Sequence, residues 1–375
     1  RVDNGKIPAA GPNIDETGAD VIDLKGDTLT PGLIDLHSHV LLHPYNEVSW
    51  NDQVLHESVA ERAVRAANHL RDTLLAGFTT LRDLGTEGAG YADVGLKEAL
   101  EKGVIIGPRL LVVGPAIVAL GSYGPSGYRE GVKVPQGAEE ASGVEGVEAA
   151  ARHQIAGGAD WVKVYADYRW GPKGEARPTF TEGEIARIVE VAHSSGRKVA
   201  AHAATDEGVR RALEAGVSTI EHGDNASLET FKLMAKKGVP VCPTLAATES
   251  VARYRGWDGK VETTPDSVKE KHEEMARILK AGTTICNGSD VGVFSHGKNA
   301  WELELLVAYG VKPLDALRAA TSTDAKIIGM GDEIGHIAPG YLADLAAFEG
   351  DPATDIRALS RPTFVMRAGA VIRRP

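Results

Sequence analysis

The feature that most constrains this chain is an alternation. From residue 31 onward, short runs rich in β-branched and aliphatic residues are separated by longer stretches with helical spacing of apolar positions. The runs are Leu33 to Val40, Phe78 to Asp83, Arg109 to Gly114, Trp161 to Tyr165, Lys198 to Ala203, Thr219 to His222, Val239 to Pro243 and Thr284 to Asp290, eight in all. Between them lie helical stretches such as Glu61 to Ala76 and Phe180 to His193, the second opening with Thr181 and Glu184 at capping-box spacing. Gly77, Gly103, Gly196, Gly216, Gly238 and Gly282 each follow a helical stretch, where a left-handed residue ends a helix.

Strand, helix, glycine, strand is the pattern of a parallel α/β protein. Eight such units between residues 31 and 334 predict a closed (β/α)8 TIM barrel. An open doubly wound sheet fits less well, because no glycine-rich dinucleotide fingerprint follows the first run. The ends read differently. V-I-D-L-K-G-D-T-L-T-P-G before the barrel, and Y-L-A-D-L-A-A-F-E-G-D-P with T-F-V-M-R-A-G-A-V-I-R-R-P after it, are strand-and-turn segments without helices. They predict a small β-sandwich domain built from residues 1–30 and 335–375, flanking a barrel domain of residues 31–334.

Composition narrows the partners. The net charge of -11 arises from dispersed acids with no basic patch, which argues against nucleic acid and anionic membrane and for a small-molecule substrate. No apolar run approaches the roughly 20 residues of a membrane helix, so a soluble chain is expected. The chain starts at Arg1, so a processed or trimmed product is expected and the compartment, cytoplasmic or periplasmic/secreted, stays open. Closed symmetry being the general rule, a homo-oligomer is expected. Cys242 and Cys286 lie in apolar contexts, V-P-V-C-P and T-T-I-C-N, and two cysteines in so long a chain do not make a disulfide framework. Both read as buried thiols.

Residues 35 to 39 are D-L-H-S-H. Residues two apart on a strand share a face, so His37 and His39 project together from the carboxyl end of the first run, the catalytic side of a barrel. Lys163 stands in the middle of the apolar fourth run, where an unpaired charge is costly. His202 ends the fifth run, His222 the sixth and Asp290 the eighth. A lone histidine ending a strand is usually a hydrogen-bonded core residue, and a lone buried lysine is usually paired with a carboxylate. Six ligand-type side chains at the same end of five runs are a different matter.

These residues, with T-P-G-L-I-D before the first histidine and G-H-I-A-P-G-Y-L-A-D-L near the end, resemble the amidohydrolase superfamily in its binuclear-metal subtype. The chain is most similar to the imidazolonepropionase-like branch, which includes prolidase-type dipeptidases and metallocarboxypeptidases. The resemblance implies that His37, His39 and Asp290 hold one divalent metal and that His202 and His222 hold a second. Lys163 would bridge them as a carbamate formed with carbon dioxide, its amine kept neutral by burial. Mixed nitrogen and oxygen ligation suits zinc, with manganese, cobalt or iron compatible. Two such metals share a water whose pKa falls to near neutrality, so that hydroxide attacks a carbonyl. Asp290 would take the proton and deliver it to the leaving amine.

Tyr165, two residues beyond Lys163 on the same face, is expected over the metals as an oxyanion or substrate contact. Long segments follow the third, fourth and seventh runs, and barrel specificity resides in such loops. Tyr123, Tyr128, Tyr168, Arg169, Arg253 and Arg255 are the substrate-binding candidates there, with His296 in the last loop. Dipeptidases of this branch often carry a glycine-rich segment with a histidine after strand three; Gly121, Ser122, Tyr123 and Gly124 occupy that place here.

The expected activity is hydrolysis of an amide bond in a dipeptide or N-acyl amino acid. A cyclic-amide hydrolase of the imidazolonepropionase kind is the alternative, although those sites usually keep one metal and need no lysine on strand four. A lactone or phosphotriester hydrolase could use the same centre. A non-catalytic scaffold would have lost ligands, and no ligand position is lost here.

Overall fold

The computed structural model describes residues 1–129 and 131–375. Its strands are β1 (Thr28–Pro31), β2 (Leu33–Ser38), β3 (Phe78–Asp83), β4 (Arg109–Leu111), β5 (Ile117–Ala119), β6 (Glu139–Ala141), β7 (Trp161–Tyr165), β8 (Asp167–Tyr168), β9 (Arg177–Pro178), β10 (Lys198–Thr205), β11 (Thr219–Asn225), β12 (Val241–Cys242), β13 (Leu345–Phe348), β14 (Pro362–Arg367) and β15 (Ala370–Arg373). Every residue of β2, β3 and β7 is buried, as expected of parallel strands covered on both faces. Helices alternate with them. Val59–Leu75 starts where Ser58 Oγ accepts from Glu61 N, and Glu182–Ser194 carries the expected capping box of Thr181 and Glu184. Gly216, Gly238 and Gly282 end three helices at φ 88°, 70° and 72°, a left-handed geometry open to glycine without Cβ strain.

One parallel sheet has the order β12-β11-β10-β7-β5-β6 and a second the order β2-β3-β4. Backbone contacts of the same parallel sense link them. Trp161 N donates to Val112 O at 3.2 Å on one side. On the other, Val241 bridges Ile285 and Ser38 bridges Val291, while Leu36 N donates to Asn287 O at 2.9 Å and Asp290 N to His37 O at 2.7 Å. Two expected runs are therefore irregular. The third is a strand only over β4, which pairs with β3, and the pairing with β7 is made by β5, beyond Gly114 and outside the expected run. The eighth forms single bridges rather than a ladder, because side chains take over its hydrogen bonding. Asp35 accepts from Ser289 N and Oγ at 3.0 and 2.5 Å, and Asn287 Nδ2 donates to Ile34 O at 2.7 Å. Gly288 permits this close approach, since a Cβ there would lie 2.9 Å from His37 Cβ.

The chain ends do meet. β1, β13, β14 and β15 form an antiparallel sheet in that order, with Thr28 opposite Phe348 and Pro31 opposite Leu345. It is a single sheet among the described residues, where two facing sheets were expected. It packs tightly on the parallel part: Phe348 joins Leu33 and Phe78 in one apolar cluster, and Arg109 Nη1 lies 2.7 Å from Asp344 Oδ2. Among the described residues no helix is long and apolar enough to cross a membrane.

The reading of the two cysteines as thiols is overturned. Cys242 and Cys286 form a disulfide between positions 44 residues apart, with Cα atoms at 4.8 Å. The cause is register: Val241 bridges Ile285 in parallel, so the next residue on each run stands beside its counterpart. Spacing along the sequence does not carry that register. Thiol titration in denaturant without reductant should find none of the two cysteines free, and replacing both by alanine should lower the unfolding free energy by about 2–4 kcal/mol. Two titratable thiols in the unreduced protein would refute the bridge.

Candidate metal centre

His37 and His39 leave the carboxyl end of β2 almost fully buried. Their Nδ1 atoms are occupied: His37 Nδ1 lies 2.9 Å from Glu221 Oε2, and His39 Nδ1 2.9 Å from Gly85 O. Carboxylate and carbonyl can only accept, so each Nδ1 carries the proton and each Nε2 presents a lone pair. Both Nε2 atoms face Asp290 Oδ1, at 3.6 Å from His37 and 3.3 Å from His39. Ligand atoms of these three residues all lie within 4.8 Å of one another, a grouping able to hold a metal ion.

His222 follows the same logic from β11. Its Nδ1 is 2.8 Å from the Thr244 hydroxyl, which itself donates to Pro243 O, so Nε2 is again the free acceptor. The imidazole centroids run in a chain, His39 to His37 at 5.4 Å, His37 to His222 at 5.1 Å and His222 to His202 at 4.5 Å. Burial holds His37 and His222 well below the usual imidazole range, and burial together with the Lys163 charge takes His202 down to about 3. The neutral, ligating form is the one present.

Lys163 is buried on β7, and among the described residues no carboxylate pairs with its ammonium. Burial, with Arg82 adding, brings the amine down to about 8 against the pull of Glu221 and Asp290. Tyr165 hangs from the same face, its ring stacked on His202 at 4.5 Å. The six expected ligand positions and Tyr165 therefore converge on one end of the parallel strands.

Four non-glycine residues around this end have left-handed backbone: Glu87 at φ 50°, His222 at 73°, Thr244 at 53° and Asp290 at 60°. Such conformations cost free energy and persist where surroundings over-determine them. The Asp290 turn is pinned by Asp35, which also accepts from Asn299 Nδ2 at 2.8 Å.

The substrate candidates divide. Tyr123 and Tyr168 lie beside Tyr165, at ring distances of 5.0 and 5.9 Å. Tyr128 and Arg169 are exposed. Arg253 pairs with Glu249 and lies over the Trp257 and Trp301 rings, and Arg255 is exposed beside Trp257. His296 is half-buried; its Nε2 meets Leu42 O at 3.0 Å and its ring stacks on His69 at 4.2 Å between centroids.

Three residues escaped the sequence reading. Glu221 orients His37 and is itself held by Arg82 Nη2 at 2.8 Å and Thr219 Oγ1 at 2.6 Å. Glu87, in the loop after β3, faces Tyr123, Tyr165 and Trp50. The signal for the first pair was present, since Arg82 and Glu221 interrupt apolar runs as Lys163 does.

Imidazole nitrogens and a carboxylate converging at the carboxyl ends of parallel strands are the working parts of a metal-dependent hydrolase. The sequence profile of the amidohydrolase family matches residues 28–372, and the chain belongs to that family of hydrolases acting on carbon–nitrogen bonds. It is 30% identical to an ochratoxinase of Aspergillus niger over 379 residues, 92% of this chain and 76% of that protein. A prolidase crystallised with N-methylphosphonate-L-proline matches with a TM-score of 0.86 at 31% identity, covering 100% of this chain and 94% of that one. A Xaa-Pro dipeptidase with methionine in its active site matches equally well, with a TM-score of 0.86 at 30% identity, covering 99% and 93%.

Arg82 and Glu221 are both fully buried, so removing one partner strands the other. Arg82→Met should lower the unfolding free energy by about 3–5 kcal/mol in urea denaturation, and adding Glu221→Gln should recover part of the loss. An unchanged midpoint in the single variant would show that the pair carries no such weight.

Proposed function

We propose that this chain is a metal-dependent amidohydrolase of small substrates, cleaving the amide bond of a dipeptide or N-acyl amino acid. The observation that carries the proposal is Lys163, a buried lysine with no carboxylate pair among the described residues, on the strand between those that carry His37, His39, His202, His222 and Asp290. The relatives named for prolidase, dipeptidase and ochratoxinase activities support amide chemistry over the cyclic-amide and ester alternatives. We also infer that the two parallel sheets and their linking bridges constitute one closed (β/α)8 barrel over residues 31–334. The strands from 1–30 and 335–375 would form its appended β-domain.

In this reading His37, His39 and Asp290 would hold one divalent ion and His202 and His222 the other, with Lys163 as a further ligand. Zinc suits the donor set, with manganese, cobalt or iron as substitutes. When bound, such ions acidify a shared water and polarise the scissile carbonyl. The chain's own residues do the rest. The neutral Lys163 amine adds carbon dioxide, forming an N–C bond and releasing a proton, which turns a misplaced cation into an anionic ligand. Glu221 and Gly85 O keep the imidazoles in the Nε2-accepting tautomer. The Asp290 carboxylate receives a proton and passes it to the leaving nitrogen. Tyr165 donates its hydroxyl to the developing oxyanion or to substrate.

Metal analysis of the purified protein should give two ions per chain, and chelation should abolish cleavage of dipeptides or N-acyl amino acids. Lys163→Ala should lose metal and activity together, with partial rescue by short carboxylic acids plus metal; a fully active variant would remove the two-metal reading. Asp290→Asn should lower kcat roughly 10²- to 10⁴-fold while metal content falls much less. Equal loss of both would make Asp290 chiefly a ligand.

A further inference from the structure

The loop after β3 brings a second acid to the centre that the proposed chemistry does not use. Glu87 is 2% exposed. Its Oε2 is saturated, accepting from Trp50 Nε1 at 2.9 Å and from the Tyr123 hydroxyl. Its Oε1 has only one long contact, the Tyr165 hydroxyl at 3.5 Å. Among the described residues no lysine or arginine pairs with this carboxylate. The nearest base is His39 Nδ1 at 3.8 Å, already directed to Gly85 O. Arg62 is directed instead to backbone carbonyls, its Nε, Nη2 and Nη1 donating to Leu41 O, Thr86 O and Glu87 O. A buried carboxylate left with an open acceptor and no cation is costly.

What surrounds it is aromatic. Tyr123 packs edge-on against Trp50, Tyr165 and Tyr168, at 5.0, 5.0 and 4.8 Å between ring centroids. Tyr168 is only partly buried and lies 5.9 Å from the His202 ring, so the cluster borders the metal side chains. The groups that meet the carboxylate are the polar tips of these rings, the Trp50 N–H and the Tyr123 and Tyr165 hydroxyls, while the partly exposed Tyr168 ring packed against Tyr123 adds the kind of aromatic surface that attracts ammonium groups. The arginines expected to grip a substrate carboxylate, Arg169, Arg253 and Arg255, are exposed or engaged elsewhere.

We propose that Glu87, with Trp50, Tyr123, Tyr165 and Tyr168, forms a cation subsite that binds the free ammonium group of the substrate. The inference rests on the amidohydrolase reading of the adjacent centre and narrows it: aminoacyl compounds with a free amine are substrates, and their N-acylated counterparts are not.

The test uses zinc-loaded protein and two inert probes of equal shape, 2-phenylethylamine and 2-phenylethanol, titrated by calorimetry, beside hydrolysis of a dipeptide and its N-acetyl form. The amine should bind roughly 10- to 100-fold more tightly than the alcohol, the range expected of a hydrogen bond to a charged group. Glu87→Gln should erase that preference at unchanged metal content. Tyr168→Leu, on the partly exposed rim, should weaken amine binding by about 2- to 5-fold. Equal binding of the two probes to the wild type, or a preference that survives Glu87→Gln, would overturn the subsite. If Glu87→Gln does not fold, the wild-type probe comparison and Tyr168→Leu decide. Amine preference without peptide cleavage would sink the amide reading and leave the subsite. Equal cleavage of free and N-acetyl peptides without amine preference would do the reverse.

Discussion

A buried ion pair between β3 and β11 is the interaction on which the interior depends. Arg82 spends its donors on Leu36 O, Thr219 Oγ1 and Glu221, and its guanidinium lies 4.5 Å from the centroid of the Trp161 ring. It therefore ties its own strand β3 to three others, β2, β7 and β11. Glu221 relays the constraint to His37. Two charges removed from water at this depth stabilise nothing by themselves. Their value is geometric, because each satisfies the other only in one arrangement, and that arrangement sets the tautomer and direction of a metal-facing imidazole.

The same economy of polar groups recurs at the eighth run. Asp35 replaces ladder hydrogen bonds with side-chain ones to Ser289 and Asn299. The run consequently bends where a regular strand would stay extended, and Asp290 adopts φ 60°. The disulfide two positions before Gly288 anchors the bend to β12.

Burial also explains why the histidines suit metal. They are enclosed by β2, β10 and β11 and by the tyrosine cluster, so the uncharged imidazole is favoured and its lone pair stays available. The lysine beside them is driven in the same direction. A cluster of potential cations thus becomes a cluster of neutral donors, with Asp290 and Glu87 as the acids beside them.

Much of this was legible beforehand. The period of the apolar residues and the glycine punctuation located β3 and β7 to the residue, and the capping box of Thr181 and Glu184 formed as its spacing requires. The residues His37, His39, Lys163, His202, His222 and Asp290 could be picked out because ligand-type side chains, each ordinary on its own run, recur on five of the apolar runs. Partnership was not legible. Cys242 with Cys286, Arg82 with Glu221, and Glu87 with Tyr123 join positions that local periodicity cannot relate, since each pair depends on the register between strands or on the path of a loop. The sequence determined which side chains reach the carboxyl end of the strands, because side-chain alternation is a local property of the backbone. Tertiary structure alone decided which of them touch, because contact depends on how separate strands are placed side by side.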